Sequence, residues 1–521
     1  MNALFSSASA ESSFRRHTAQ AAPFVRLGVS VALVLRRVFG SRASKIPIVK
    51  IACRPLEALV AMHNAATTDG RASATPNATE CEVHREILDQ VWDLCVVGSG
   101  PGGAVVAATG VKRGQSVLII EAGGPVNESV EHHSVAQMMA DFENGGQEIA
   151  VGPSPVPFAQ GRTWGGGSEI NSGLYHHLPN SVATRWRKAA GLSAEQLNVA
   201  VLEVEAGMPV HKQPAYSLGC YADSPIEGIR SALGWKGGVI PRWREYKAKG
   251  FTHFGMSSTF LATAIEGGAA RVTRHRVTSI MVVAGGVAVR FSGPSCAHEL
   301  VSKSVSLSAG TVGTPEILWR SKLARPREFS FAFHAMIREV AEYERIVNDL
   351  VDIDPHQAWS VDNQFKVGAA VSTPELLAAT MAQKGLPYPT HPEHCAAIYI
   401  SFASDGKNGL FQVGKHLYPY FVPSRAMKSL AEDAGRVLRD GISESSGRAL
   451  GEPKNGYSTV HVFGSLPLGT SNVVDDNGVV RGTNGRVFVR DASIIPSHPL
   501  VNPQGPLMHL VTALENKRVD A

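Results

Sequence analysis

The sequence predicts an α/β fold: a nucleotide-binding domain built on a parallel sheet, discontinuous along the chain, carrying an α+β cap. Three observations predict it. A glycine-rich turn, Gly98-Ser99-Gly100-Pro101-Gly102-Gly103, stands between two short apolar runs. A C-terminal apolar run ends at an acid and is followed by a helical pattern. The stretch between them has strand and helix patterning of its own.

The glycine turn is the first element, and its flanks give it meaning. Asp93-Leu94-Cys95-Val96-Val97 reads as a buried strand, and the small residues from Gly102 to Thr109 suit a helix packed close against a sheet. A second apolar run, Ser116-Val117-Leu118-Ile119-Ile120, ends in Glu121, about 20 residues past the turn. Gly98 permits the tight turn, Gly100 lets the backbone approach a pyrophosphate, and Gly103 allows close helix packing. The helix start offers unpaired N–H groups and a positive dipole end to the phosphates. Glu121 is placed to accept hydrogen bonds from adenosine ribose hydroxyls. An acid there disfavours a 2′-phosphate, so the ligand is expected to be FAD or NAD rather than NADP.

At the other end, the run from Arg486 to Arg490 leads to Asp491, where open α/β sheets place ligand-contacting groups. Pro503 suits the first position of a helix running through Leu507, Met508, Leu510, Val511 and Leu514. His461 lies in a Gly- and Pro-rich loop rather than on an apolar helical face, which makes it a candidate base as well as an ordinary loop imidazole. His498 and His509 flank Asn502 and read as supporting or structural.

Four stretches in this order resemble a known family. Besides the glycine turn, Gly161-Arg162-Thr163-Trp164-Gly165-Gly166-Gly167-Ser168-Glu169-Ile170-Asn171-Ser172-Gly173 resembles a flavin-embracing signature of the glucose/methanol/choline oxidoreductases. Ser308 to Leu318 resembles their second signature and departs from it at Ser321-Lys322, where Ser-Gly is usual. The blocks around His461, Asp491-Ala492-Ser493 and Val501-Asn502-Pro503 are similar to the cholesterol oxidase and long-chain alcohol oxidase branch, which has Asn where many relatives carry a second His.

The resemblance implies a Rossmann-like FAD-binding domain and FAD as cofactor. It implies cofactor contacts from Gly98, Gly100, Gly103, Glu121, Gly165, Gly166, Asn171, Val277, Asp491, Ala492 and Pro503, and no metal. The helix after Pro503 would face the pyrimidine side of the flavin, which gains negative charge on reduction. His461 and Asn502 become the catalytic pair: His461 accepts the alcohol proton, Asn502 bonds the same oxygen, and the carbinol hydride passes to flavin N5. The implied substrate is an alcohol (CH–OH donor), leaning to bulky, lipidic, aromatic or steroid alcohols. Oxygen, a quinone or a cytochrome remain open as electron acceptor. Two alternatives stand beside this reading: an FAD-containing hydroxynitrile-type lyase, and a weakly catalytic flavoprotein whose role is membrane or partner association.

The expected organisation is a basic extension (1–87), a first part of the FAD-binding domain (88–210), a connecting or cap segment (211–269), a second FAD part (270–324), a cap (325–454) and a closing FAD part (455–521). Within the cap, alternation at Phe329, Phe331 and Phe333 and the run Ala396 to Ile400 predict strands, with helices over Glu375 to Lys384 and Met427 to Leu438.

Composition agrees with a large globular enzyme: 521 residues, 44% hydrophobic and 18% charged. The net charge of +5 is concentrated at the start. Residues 1–45 hold seven Lys or Arg against one acid, Glu11, while the remainder holds 43 basic and 44 acidic residues, so no nucleic-acid partner is indicated. The extension carries Arg15-Arg16 and an apolar run, Leu27 to Leu35, too short to span a bilayer. It reads as a disordered or loosely packed segment, with a membrane-surface contact or Tat-type export as alternatives. Six scattered cysteines (Cys53, Cys81, Cys95, Cys220, Cys296 and Cys395) without a CxxC point to a reducing, cytoplasmic setting. His391-Pro392-Glu393-His394-Cys395 reads as a loop entering a strand rather than a metal site.

Overall fold

The computed structural model describes residues 7–21, 26, 29–33, 56, 59–66, 83–126, 131–211, 224–246, 251–294, 296–452 and 456–519. Two seven-stranded sheets organise these residues. In the first, strand β1 (Trp92–Val97) is buried except at Asp93, and the helix Pro101–Lys112 begins on a proline, whose fixed φ and missing N–H suit a first turn. Strand β2 (Val117–Ile120) is buried throughout and pairs parallel with β1. Strand β3 (Ala270–Val272) lies beyond β2.

On the other side of β1, a meander of β4 (Arg276–Val283), β5 (Gly286–Ser292) and β6 (Ala297–Leu307) completes the order β3-β2-β1-β6-β5-β4. The first half of β6 pairs antiparallel with β5, and its second half pairs parallel with β1 and with the strand Val487–Val489. Registers match Val97 to Ile120, Val97 to Leu307, and Leu307 to Val489, so four carboxyl ends reach one edge. That edge is where open parallel sheets form their ligand crevice. The chain approaches itself there: a Cβ on Gly98, whose φ is +95°, would sit 2.3 Å from the carbonyl oxygen of Ser308.

The second sheet is wholly antiparallel. It contains β7 (Ala332–Glu342), β8 (His356–Trp359), β9 (Lys366–Ala369) and β10 (Cys395–Ala403), ordered β7-β10-β9-β8, with Arg448–Ala449 beside β7 and Lys236–Val239 beside β8. The helices Pro374–Gln383 and Arg425–Glu444 contact it. Of the three alternating phenylalanines only Phe333 belongs to β7; Phe329 and Phe331 are buried on the approach to it. The start of β7 also pairs with Val462–Phe463, at Ala332 to Phe463 and Phe333 to Val462. This bridge carries the second sheet to the loop that holds His461.

The last helix is Gln504–Val519, starting one residue after Pro503, whose carbonyl accepts the N–H of Leu507 at 2.8 Å. The expected start at Pro503 thus shifts by one position.

The N-terminal extension departs from the disordered reading in its described parts. A helix, Ala8–Gln20, is capped by Ser7, and Phe14, Val29, Ala32, Leu56 and Val60 form a small buried cluster. His17 bonds the Gly145 carbonyl through Nε2 and His63 through Nδ1 at 3.0 Å. Met62 and Ala66 pack with Val135, Met138, Met139 and Leu376. Cys53, Cys81 and Cys220 lie outside the described residues, as does part of the run Leu27 to Leu35. Among the described residues, no helix is long and apolar enough to cross a membrane.

Candidate active site

The crevice is built from backbone first. Ser99, in the middle of the glycine turn, donates from both its N–H (2.9 Å) and its hydroxyl (2.7 Å) to Glu121 Oε2, and Glu121 Oε1 accepts the N–H of Gly123 at 2.7 Å. Glu121 is thereby fixed at the end of β2, with carboxylate lone pairs remaining for a further donor. The Ser99 hydroxyl also accepts the N–H of Gly165 at 3.0 Å, tying the turn to the loop that contains Gly165 and Gly166. Gly165 has φ +100°, and a Cβ on Gly166 would meet the Gly100 Cα at 2.8 Å. The two glycine loops therefore touch.

Around them, Val277 is buried near the start of β4, and the chain just before it runs along the segment that leaves β2. The N–H of Arg274 bonds the Gly123 carbonyl at 2.8 Å, and that of His275 bonds the Glu121 carbonyl at 3.0 Å. Asp491 accepts from Gly310 N–H (2.8 Å), the Thr314 hydroxyl (2.5 Å) and Ser493 N–H (2.8 Å), locking the end of Val487–Val489 to the helix Gly310–Arg320. The Ala492 carbonyl accepts the N–H of Gly464 at 2.8 Å, which draws the His461 loop to the same edge. Asn171 bridges the flavin-type loop to the last helix: its Nδ2 donates to Gln504 Oε1 at 2.5 Å, and its Oδ1 accepts the N–H of Gly173 at 2.7 Å.

The chemistry-bearing side chains meet where this edge faces the second sheet. His461 Nδ1 lies 2.8 Å from Nδ1 of His334, a β7 residue, and the His461 N–H donates to the Thr459 hydroxyl at 3.0 Å. His498 stands with its ring centroid 4.1 Å from that of His334. From β9, Lys366 Nζ donates to Asn502 Oδ1 at 2.6 Å. His176, in the chain leaving the Gly161–Gly173 loop, packs edge-on to Trp359 of β8, whose indole N–H donates to the Leu500 carbonyl at 3.2 Å.

Electrostatics in this cluster follow from burial and one cation. Burial pushes the Lys366 ammonium down to about 7. Burial first, then the charge of Lys366 and then His498, holds His461 well below the ordinary imidazole value. His334 and His176 are also held well below it, chiefly by burial, and His498 falls to about 3 by burial and then Lys366. At neutral pH these four imidazoles are uncharged. They can accept a proton but do not start with one to give.

Models of the GMC oxidoreductase family match the N-terminal portion over residues 138–336 and the C-terminal portion over residues 424–510, together more than half of the chain. The chain belongs to the GMC oxidoreductase family. An uncharacterized GMC-type oxidoreductase of Sinorhizobium fredii is 26% identical over 479 residues, covering 80% of this chain and 92% of that protein. A long-chain-alcohol oxidase of Arabidopsis thaliana is 34% identical over 127 residues, 24% of this chain and 18% of that one. Among solved structures, a pyridoxine 4-oxidase superposes with a TM-score of 0.66 at 16% identity, over 82% of this chain and 99% of that one. A formate oxidase variant of Aspergillus oryzae gives a TM-score of 0.65 at 13% identity, over 82% and 98%.

GMC oxidoreductases use FAD, and the residues present fit it. A Cβ on Gly100 or Gly167 would meet nothing within 4 Å, so open room lies against both glycine loops at the start of the helix Pro101–Lys112. Gln504 Nε2, at the opening of the last helix, is buried without a hydrogen-bond partner. Glu121, Gly100, Gly166 and the starts of these two helices would hold the dinucleotide there.

Two residues flanking Asn502 divide. His498 joins the cluster, whereas His509 bonds the Tyr175 hydroxyl at 3.0 Å, inside the packing of the last helix. Sequence reasoning missed Ser99, His176, His334 and Lys366. The signal for the last two is faint: His334 is one of several polar residues in the strand Ala332–Glu342, beside Arg338 and Glu339, and Lys366 is the first residue of the short strand Lys366–Ala369.

Proposed function

We propose that this GMC oxidoreductase oxidises an alcohol to an aldehyde or ketone, with His461 as the proton acceptor and Asn502 as the partner of the alcohol oxygen. The observation that carries this reading is the convergence of a neutral His461, bonded through Nδ1 to His334, with the Lys366-anchored Asn502. FAD, when bound, supplies the hydride acceptor.

With Nδ1 of His461 engaged by His334, Nε2 is the nitrogen left for substrate. The base-competent tautomer carries its hydrogen on Nδ1, donates it to His334, and leaves an Nε2 lone pair for the alcohol proton. General-base help of this kind is worth about 10²- to 10⁴-fold. Placement of both groups between two sheets fixes the hydroxyl before reaction, which contributes further through orientation.

A bulky, apolar alcohol suits the site best. Support comes from the similarity to a long-chain-alcohol oxidase and from the aromatic side chains of Trp359 beside His176 and Tyr399 beside Lys366. The test is product analysis. Incubation with primary long-chain, aromatic and steroid alcohols should yield the carbonyl compound from at least one class. Cleavage of a carbon–carbon bond with no carbonyl formed by oxidation would instead mark a lyase.

A further inference from the structure

We propose that Lys366 is a positioning residue of this site: its ammonium anchors Asn502 so that the carboxamide presents only its NH₂ to the substrate oxygen, and it is the one cationic side chain in a cluster otherwise made of imidazoles. The inference rests on the alcohol-oxidising reading above and gives Asn502 a direction.

The Asn502 atom 2.6 Å from Lys366 Nζ is the carbonyl oxygen, the partner that the donor-only ammonium form requires. That contact settles the amide orientation, which side-chain shape alone leaves ambiguous. With its oxygen taken, Asn502 offers hydrogens. A donor there complements the negative charge that develops on an alcohol oxygen as its proton leaves, while His461 takes that proton.

Lys366 is only 3% exposed, and among the described residues no ion pair involves it. Its ammonium lies over the Tyr399 ring, 5.6 Å from the centroid. Packing alone would be served better by Met or Leu at this strand position, since burying an unpaired cation is costly. Such a cost is tolerated at functional sites. The groups facing His461 are Lys366 from β9, His334 from β7, His498 from the loop before Asn502, and His176 from the chain following Gly173. Of these, Lys366 is the one side chain that is not an imidazole, and in its ammonium form two of its three N–H donors remain after Asn502 is served.

Two variants of the FAD-loaded protein test this. Asn502→Asp keeps the bond to Lys366 but has no hydrogen to give; it should retain FAD while anaerobic flavin reduction by alcohol slows by on the order of 10²-fold. Lys366→Met keeps the stem volume; it should retain FAD, slow reduction at saturating alcohol at least tenfold with little change in half-saturating concentration, and move the flavin midpoint potential to more negative values. That potential is read against reference dyes with no alcohol present. Near-wild-type reduction in Asn502→Asp would mean the carboxamide presents its oxygen, and would overturn the proposal. An unchanged potential in Lys366→Met would also overturn it. Where no alcohol bleaches the wild type, the alcohol reading fails by itself, and the potential alone decides for or against Lys366.

Discussion

His334 Nδ1 and His461 Nδ1 stand 2.8 Å apart, joining a residue of the second sheet to the loop of the FAD-binding half. The same two residues are linked again through backbone, where the His334 N–H donates to the His461 carbonyl at 3.2 Å. The candidate base is therefore oriented by a side chain from the opposite half of the molecule, 127 residues away in sequence.

This contact yields a graded expectation. His334→Leu leaves His461 Nδ1 without its partner, a loss worth ~1–3 kcal/mol, so flavin reduction should slow about tenfold to a hundredfold. His334→Asn can place a polar atom near the former Nδ1 and should recover part of that loss. Stopped-flow reduction under anaerobic conditions separates the two; equal rates in both variants would remove His334 from the positioning of the base.

His461 itself is expected to matter far more than its support. His461→Ala should bind FAD normally, judged by the ratio of flavin to protein absorbance, and reduce it roughly 10²- to 10⁴-fold more slowly.

The glycine loops separate folding from cofactor binding. At Gly100 an added Cβ meets no protein atom within 4 Å, so Gly100→Ala should fold and melt like the apoprotein but purify colourless. At Gly98 the Cβ would collide with the Ser308 carbonyl in a left-handed backbone, so Gly98→Ala should lower Tm, by strain of order 1–3 kcal/mol or more. Thermal melts and the visible spectrum check both.

Acid should destabilise the protein across the histidine range. His498, His133, His63 and His509 are lowered to about 3 and His17 to about 4, chiefly by burial, and His461, His334 and His176 shift the same way. Below about 6.5 the unfolded chain binds protons that these folded groups refuse, so stability is present above that pH and declines as pH falls toward 3 to 4. Glu148, raised to about 8, and Asp141, raised to about 6, oppose this, but the histidines outnumber them. Tm measured from pH 7.5 to 4.5 should fall steadily; a flat or rising Tm would show that these histidines are not buried neutral.

How much of this was legible beforehand follows local spacing. The strand, turn, helix, strand and acid from Trp92 to Glu121 could be read because period, glycine placement and the terminal acid lie within one contiguous unit. His461 and Asn502 could be singled out by motif. Lys366 and His334 could not, because no local motif marks either of them within its strand, and only antiparallel pairing across the second sheet brings them to the site. The extension misled for a related reason. Its serine and arginine content reads as loose chain, while its docking depends on His17 reaching Gly145 and Met62 reaching Val135, far along the sequence.

The central claim is that FAD bound at the glycine loops takes electrons from an alcohol activated by His461. It is tested most directly by anaerobic titration of the FAD-loaded protein with long-chain, aromatic and steroid alcohols, following the oxidised flavin band near ~450 nm. The expected result is bleaching of the wild type by at least one class and its near absence in His461→Ala. A fully loaded wild type that no alcohol bleaches, or a His461→Ala variant that bleaches as fast as the wild type, would contradict the account.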